Sequence, residues 1–294
     1  MLKNNDRDPA LPALTVNQAR MLRVLVKSTM TRAGRDVTVH ADHVVDSDDS
    51  EYGLDSLSRT VRDLPVKDWP AAVERHISTM QAAMRGPDEF DVPTADLLDR
   101  TYLRLYDAAG LPPVDWLSYA REPFPGVREL LALDLPDTVS MFNDDRVERH
   151  GLDVLREAGL RNLRQVTPDQ HTVYDGVQIL MGSVYMASTA LVLDDVIRRT
   201  TGEQDLPNGV LVAMPFRNQL LYHVPRDHGI IESLNAMASL ALNGFADEVG
   251  PISPYVYWWD NGVFQQLTKH DEQEKTIEVH VDGGFAEVFR RLVP

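Results

Sequence analysis

Apolar residues recur at helical spacing through the first third of the chain. Between residues 16 and 33, one helical face is formed by Val16, Ala19, Leu22, Val26 and Met30. Further helical segments begin at Ser or Asp caps and are bounded by prolines. They predict helices at 55–64 and 69–84, and another from Thr94 to about Gly110. Residues 37–45 instead alternate between apolar and polar side chains and include several β-branched residues. This pattern predicts one strand or the start of a hairpin.

The second half switches repeatedly between helical and strand periods. Helices are predicted at 143–163, 183–199, 230–245 and 284–292. Strands are predicted at 137–142, 172–180, 210–214, 219–224, 255–259, 263–267 and 277–281. Asn261-Gly262 is a strong signal for a hairpin. Because hairpins and helices are interspersed, the pattern predicts an α+β fold with an antiparallel sheet packed with helices.

Prolines mark the predicted boundary between the two parts. A short stretch contains Pro112, Pro113, Pro123 and Pro125 together with aromatic residues, which is typical of an ordered connector. The sequence therefore predicts a helix-rich N-terminal part with a short strand or hairpin at 1–110, a connector at 111–126 and an α+β part at 127–294.

Composition limits the cell compartment and the class of partner. The 294 residues include 29 Lys and Arg against 45 Asp and Glu, which gives a net charge of −16, and there is no cysteine. Strong acidity disfavours binding to phosphate backbones, so no nucleic-acid partner is expected. Without cysteine, an apolar leader or a long apolar run, the chain is expected to be soluble and cytoplasmic, with no membrane association.

The charge is distributed unevenly along the chain. Residues 1–35 carry about +5, residues 36–99 about −10 and the remainder about −11. Arg20, Arg23 and Lys27 share a face of the first predicted helix. We therefore expect this face to dock on the acidic turn 46–51 or to point towards an acidic partner.

The sequence contains none of the common catalytic motifs. GxSxG, HExxH, GxGxxG and Walker sequences are absent. His40 and Asp42 share one side of a predicted strand, but two ligands are too few for a metal site. The acidic turn lacks the glycine and the final glutamate of a calcium loop. No metal and no cofactor are therefore expected, and whether the chain is an enzyme stays open.

Polar side chains at two turns are candidates for ligand binding. Arg217 and Asn218 lie in the predicted turn after Pro215, where an arginine fork could bind a carboxylate or phosphate. His223 and His228 lie between a strand end and a helix start, a place suited to anion recognition or acid–base chemistry. Each group also has a simple structural explanation, as turn residues or as residues around a helix cap.

An aromatic strand provides the remaining candidates. Strand alternation places Tyr255, Tyr257 and Trp259 on one face and Trp258 on the other, just before Asp260. One face is expected to be core, and the other is covered by the N-terminal part, by a ligand or by a second subunit.

Short segments at 125–137, 151–152, 158–163, 188–193 and 211–217 resemble the YtpQ-like family of uncharacterised bacterial proteins. The shared features are an Asp-x-Pro element at 134–136, a helix pair ending in the string 158–163, and a Pro-x-Arg strand end at 215–217. The resemblance covers about half of the chain. It implies a bacterial protein but no established activity, and it transfers no catalytic residue.

Two function hypotheses follow from these patterns. In the first, which the sequence favours, the chain is a non-enzymatic accessory or regulatory factor that binds another protein, or itself as a homodimer, through its acidic segment or its aromatic strand. In the second, it is an enzyme or a small-molecule binder with a pocket near Arg217, His223, His228 and Asp260.

Overall fold

Two compact units make up the chain, Met1–Asp91 and Val92–Pro294. The computed structural model describes residues 6–46, 51–85, 90–111, 117–135, 139–271 and 276–293. Residues 117–126 of the predicted connector belong to the second unit, where Arg121–Phe124 form a strand, and residues 112–116 lie outside the described residues.

The first unit packs helices around a small antiparallel sheet. Its elements are α1(Val16–Arg32), β1(Val37–Val39), β2(His43–Asp46), β3(Glu51–Gly53), α2(Asp55–Arg62), a 3-10 helix at Val66–Asp68 and α3(Trp69–Arg85). Thr15 and Gln18 form a capping box that fixes the start of α1. Leu22, Val26 and Trp69 lie in the buried core. The predicted helices are confirmed, and the alternating segment forms a hairpin rather than one strand.

One charge of the predicted basic face has partners outside the acidic turn. Arg23 binds Asp8 at 2.8 Å and also donates to the Ala41 carbonyl. Arg35 instead binds the buried Asp46 at 2.8 Å. The basic segment therefore pairs with the start of the turn through Arg35, and residues 47–50 of the turn lie outside the described residues.

The second unit begins with a small antiparallel sheet. After α4(Thr94–Asp99) come β4(Thr101–Asp107), β5(Arg121–Phe124), β6(Val127–Asp134) and β7(Val139–Met141), with β6 between β4 and the other two. The predicted helix from Thr94 to Gly110 is therefore wrong beyond residue 99. Residues 101–107 alternate between buried and half-buried positions, and this strand period prevails over the cap signal at Thr94.

Two helices follow this sheet. They are α5(Asp144–His150) and α6(Leu152–Leu163), and they are separated by Gly151, which has a φ of 86°. This left-handed conformation favours glycine and interrupts the single helix that the sequence predicts. On α6, Gly159 lies so close to β4 that an added Cβ would stand 2.9 Å from the Leu103 nitrogen. The close approach brings α6 directly onto the sheet.

A larger sheet of six antiparallel strands also belongs to the second unit. Its strands are β8(Gln170–Tyr174), β9(Val177–Met181), β10(Val210–Ala213), β11(Gln219–His223), β12(Val256–Asp260) and β13(Val263–Gln266), in the order β13-β12-β10-β11-β9-β8. The hairpin at Asn261-Gly262 is confirmed. Asp175-Gly176, both with positive φ, form a second tight turn that splits the strand predicted at 172–180.

Helices and a short hairpin complete the second unit. They are a 3-10 helix at Ala187–Val192, α7(Leu193–Thr201), α8(Ile230–Asp247), β14(Thr268–Asp271), β15(Thr276–Val279) and α9(Gly283–Leu292). Leu211, Leu221 and Trp258 on one face of the large sheet share a core with residues of α8 and α9. The α+β fold with antiparallel sheets is confirmed. Within the described residues, no helix is both long and apolar enough to cross a membrane.

Candidate functional site

Arg217 is held in place by the turn that joins β10 to β11. Its backbone N–H donates to the Gly250 carbonyl at 2.9 Å, and its own carbonyl accepts from Ala187. The side-chain amide of Asn218 donates to the Gly182 carbonyl at 2.9 Å, while its oxygen accepts from Arg217 Nε at 3.3 Å. Asn218 is thus a positioning residue for the half-buried guanidinium of Arg217.

Two side chains of β4 lie within electrostatic range of Arg217. Strand alternation places Arg104 and Tyr106 on the same face of this strand. The Arg104 guanidinium lies over the Tyr106 ring, 5.1 Å from its centroid, which is within the range of a cation–π contact. Burial lowers the pKa of Arg217, and the charge of Arg104 lowers it further. The two guanidiniums are therefore electrostatic neighbours.

A pair of stacked tyrosines borders these arginines. The rings of Tyr102 and Tyr185 stack with centroids 4.2 Å apart. The Tyr185 hydroxyl donates to Asp134 Oδ1 at 2.8 Å. Burial raises the pKa of Tyr185 far above its ordinary value, and the hydrogen bond to Asp134 raises it further. This hydroxyl therefore stays protonated and is committed to Asp134.

These side chains form what we call the arginine–tyrosine cluster, which comprises Arg104, Tyr106, Asp134, Tyr185 and Arg217. Among the described residues, neither arginine forms an ion pair, and Nε of Arg104 is buried without a hydrogen-bond partner. Two like charges that are partly removed from water are unfavourable unless an anion compensates them. The cluster is thus suited to bind a carboxylate or a phosphate.

Comparison of the chain with models of known protein families, with curated proteins and with solved structures finds no match. The resemblance to the YtpQ-like family therefore stays a prediction. The evidence for function comes from the side chains of the cluster.

The other predicted site residues lie elsewhere. In the large sheet, Leu211 pairs with both His223 and Trp258, so His223, Trp259 and Asp260 lie at the end of the sheet opposite the turn with Arg217. His228 is exposed in the loop after β11. The structure thus keeps Arg217 and Asn218 together but does not group them with His223, His228 and Asp260.

The aromatic strand is packed within the second unit. Tyr257 is fully buried, and its hydroxyl donates to the Pro125 carbonyl at 2.9 Å. Trp258 is 8% exposed and donates from Nε1 to the Asn208 carbonyl on the other face. Trp259 is half-buried on the same face as Tyr257. Neither Tyr257 nor Trp258 is available to an external partner.

Histidine and carboxylate side chains do not assemble into a metal site within the described residues. No group of three or more potential ligands comes together there. His43 Nδ1 lies 2.7 Å from Asp42 Oδ1, and the rings of His40 and His43 stack. This contact explains the arrangement of His40, Asp42 and His43 without a metal.

We expect His223 to make the stability of the second unit depend on pH. Its Nδ1 lies 2.8 Å from the Gly176 carbonyl, and burial lowers its pKa. Because the unfolded histidine binds a proton more readily, the contribution of His223 is complete above its ordinary pKa of about 6.5 and is lost as the pH falls below it. We expect His223→Asn to flatten the loss of unfolding free energy between about pH 7 and pH 5. The same substitution at exposed His228 is the control, and equal slopes for the two variants and the wild type would refute this role.

Proposed function

We propose that the protein binds a small molecule through an anionic group, a carboxylate or a phosphate, held between Arg104 and Arg217. The observation that carries the proposal is the pair of neighbouring, half-buried guanidiniums without an ion-pair partner among the described residues. A guanidinium presents several N–H donors in a planar fork that matches these oxyanions.

The overall charge of the chain makes this pair unusual. The protein carries a net charge of −16, yet the one carboxylate of the cluster, Asp134, accepts a hydrogen bond from Tyr185 and forms no described ion pair with either arginine. In other parts of the second unit, partly buried arginines do have such partners, as Arg156 does in Glu129. Two arginines without an ion-pair partner among the described residues are therefore more consistent with ligand binding than with a structural role.

The alternative of a protein-binding factor has less support. Binding of a partner protein by the aromatic strand would require exposed rings, and Tyr257 and Trp258 are buried. The small-molecule hypothesis is retained in a changed form, with Arg217 and Asn218 kept and with Arg104 and Tyr106 replacing His223, His228 and Asp260.

Thermal and urea unfolding in defined anions test the proposal. Phosphate, sulfate and malonate are compared with chloride at equal ionic strength. A specific anion at a hundred times its Kd should stabilise the wild type by about 2.7 kcal/mol. Phosphate and malonate in separate arms distinguish a phosphate group from a carboxylate as the natural anion.

Substitutions test whether the anion-dependent stabilisation arises at the arginine–tyrosine cluster. Arg104→Gln and Arg217→Gln should each remove most of the anion-dependent stabilisation. Arg226→Gln is a matched control, because this arginine belongs to the same unit but pairs with Glu203 instead. Stabilisation that is identical in all three variants, or absent from the wild type with every anion, would show that the cluster is not an anion site.

A further inference from the structure

A second site is formed by a cavity of about 660 Å³ in the second unit. Its walls come from the end of β4, the turn between β5 and β6, the C-terminal half of α8 and residues of β14 and β15. Most of the lining is apolar, with Leu242, Phe245, Ile252 and Ile277 among its side chains. A cavity of this size and lining is typical of sites for drug-sized ligands.

One carboxylate lies in this apolar lining. Asp107 Oδ1 accepts a hydrogen bond from the Ala109 backbone at 3.0 Å, and burial raises the pKa of this side chain. Among the described residues no Lys, Arg or His side chain forms an ion pair with Asp107. A carboxylate partly removed from water and without a counter-ion favours a cationic ligand group.

Aromatic side chains in the same lining suit such a group. Tyr255 and His270 have ring centroids 5.1 Å apart, and Phe245 also lines the cavity. Aromatic faces attract ammonium ions. Burial lowers the pKa of His270, so its imidazole is neutral at neutral pH and does not repel a cation.

From the cavity, its apolar walls and a carboxylate that has no ion-pair partner in the part of the chain that the structure describes, we infer that this site binds an apolar molecule that carries a protonated amine. The amine would pair with Asp107, and the apolar body would lie against Leu242, Ile252 and Ile277. The inference is independent of the anion site, because Asp107 and the cavity walls include no residue of the arginine–tyrosine cluster.

Three probes with the same alkyl chain test this inference. Binding of n-octylammonium, 1-octanol and octanoate to the full chain is measured by calorimetry at neutral pH, below the concentrations at which the probes aggregate. We expect octylammonium to bind about tenfold more tightly than octanol, because the ammonium group pairs with the Asp107 carboxylate and the hydroxyl group does not. Octanoate, which brings a second negative charge to Asp107, should bind most weakly.

Substitutions then separate the charge from the cavity. Asp107→Asn should bring the affinity of octylammonium close to that of octanol and leave octanol unchanged. Asp205→Asn removes an exposed carboxylate of the same unit and should leave the amine preference intact. Leu242→Trp should weaken octylammonium and octanol together by narrowing the cavity.

The wild-type measurement alone can overturn the inference. Equal affinities for the amine and the alcohol, tighter binding of octanoate, or no binding of any probe would each contradict it, even if the Asp107 variant did not fold. Arg217→Gln should retain the amine preference. Failure of the anion site and failure of this site are therefore separate results.

Discussion

Replacing Arg156 by Met is expected to lower the free energy of unfolding of the second unit by about 3 kcal/mol, because it leaves a buried charge unpaired. Arg156 on α6 forms an ion pair with Glu129 on β6, and these side chains are 12% and 5% exposed. Burial raises the pKa of Glu129, opposed by the charges of Arg156 and Arg121. Without Arg156, the weaker charge interaction with Arg121 remains to lower the pKa of Glu129.

A double substitution distinguishes a lost contact from an unpaired charge. Glu129→Leu combined with Arg156→Met removes both charges, and it should recover most of the loss because a buried ion pair is often replaceable by apolar side chains. Hydrogen exchange of the β6 amides in urea reports on this unit specifically. A cost below about 0.5 kcal/mol for Arg156→Met would contradict the assignment, since changes of that size are typical of surface sites.

Gly250→Ala should disable the anion site from outside the cluster. Gly250 has a φ of 74°, and an added Cβ would stand 2.7 Å from Arg217 Cδ. The left-handed conformation costs a non-glycine residue about 1 kcal/mol, and the new methyl group must displace the Arg217 side chain. We therefore expect a modest loss of stability together with loss of the anion response in thermal unfolding.

Gly202→Ala is the matched control for this substitution. Gly202 has a φ of 77°, but an added Cβ there has no atom within 4 Å. The variant should pay the same backbone cost of about 1 kcal/mol and keep the full anion response. If both variants keep that response, the position of the Arg217 side chain does not matter for binding.

Local signals in the sequence were sufficient for much of the fold. The apolar spacing in α1 and α8 and the Asn261-Gly262 turn have strong local causes, and the structure confirms these elements. Asp175-Gly176 is also a sequence that favours a tight hairpin turn, so this turn could have been predicted from its residues. The helix predicted beyond residue 99 is wrong because Leu103 and Leu105 alternate with half-buried residues, and this strand pattern outweighs the helix-cap signal at Thr94.

The candidate site was predicted only in part. Arg217 and Asn218 were identified because a turn after Pro215 exposes polar side chains that a ligand can reach. Arg104 could not be identified with them, because β4 and the β10–β11 turn meet only through the tertiary fold. Nothing local indicates that an arginine will lack a carboxylate partner, since that depends on every neighbouring element. The alternation of Tyr102, Arg104 and Tyr106 was the available signal, and it required β4 to be recognised as a strand.

The most direct test of the anion site is an NMR titration that observes the arginine Nε–H groups. Among the described residues, Arg104 Nε is buried without a hydrogen-bond partner, and Arg217 Nε makes a long hydrogen bond of 3.3 Å to Asn218. If phosphate or malonate binds between the two guanidiniums, the resonances of Arg104 and Arg217 will shift together with one saturation curve, and those of Arg226 will not. Uniform small shifts of all exposed arginines, with Arg104 and Arg217 unchanged, would contradict the proposed function.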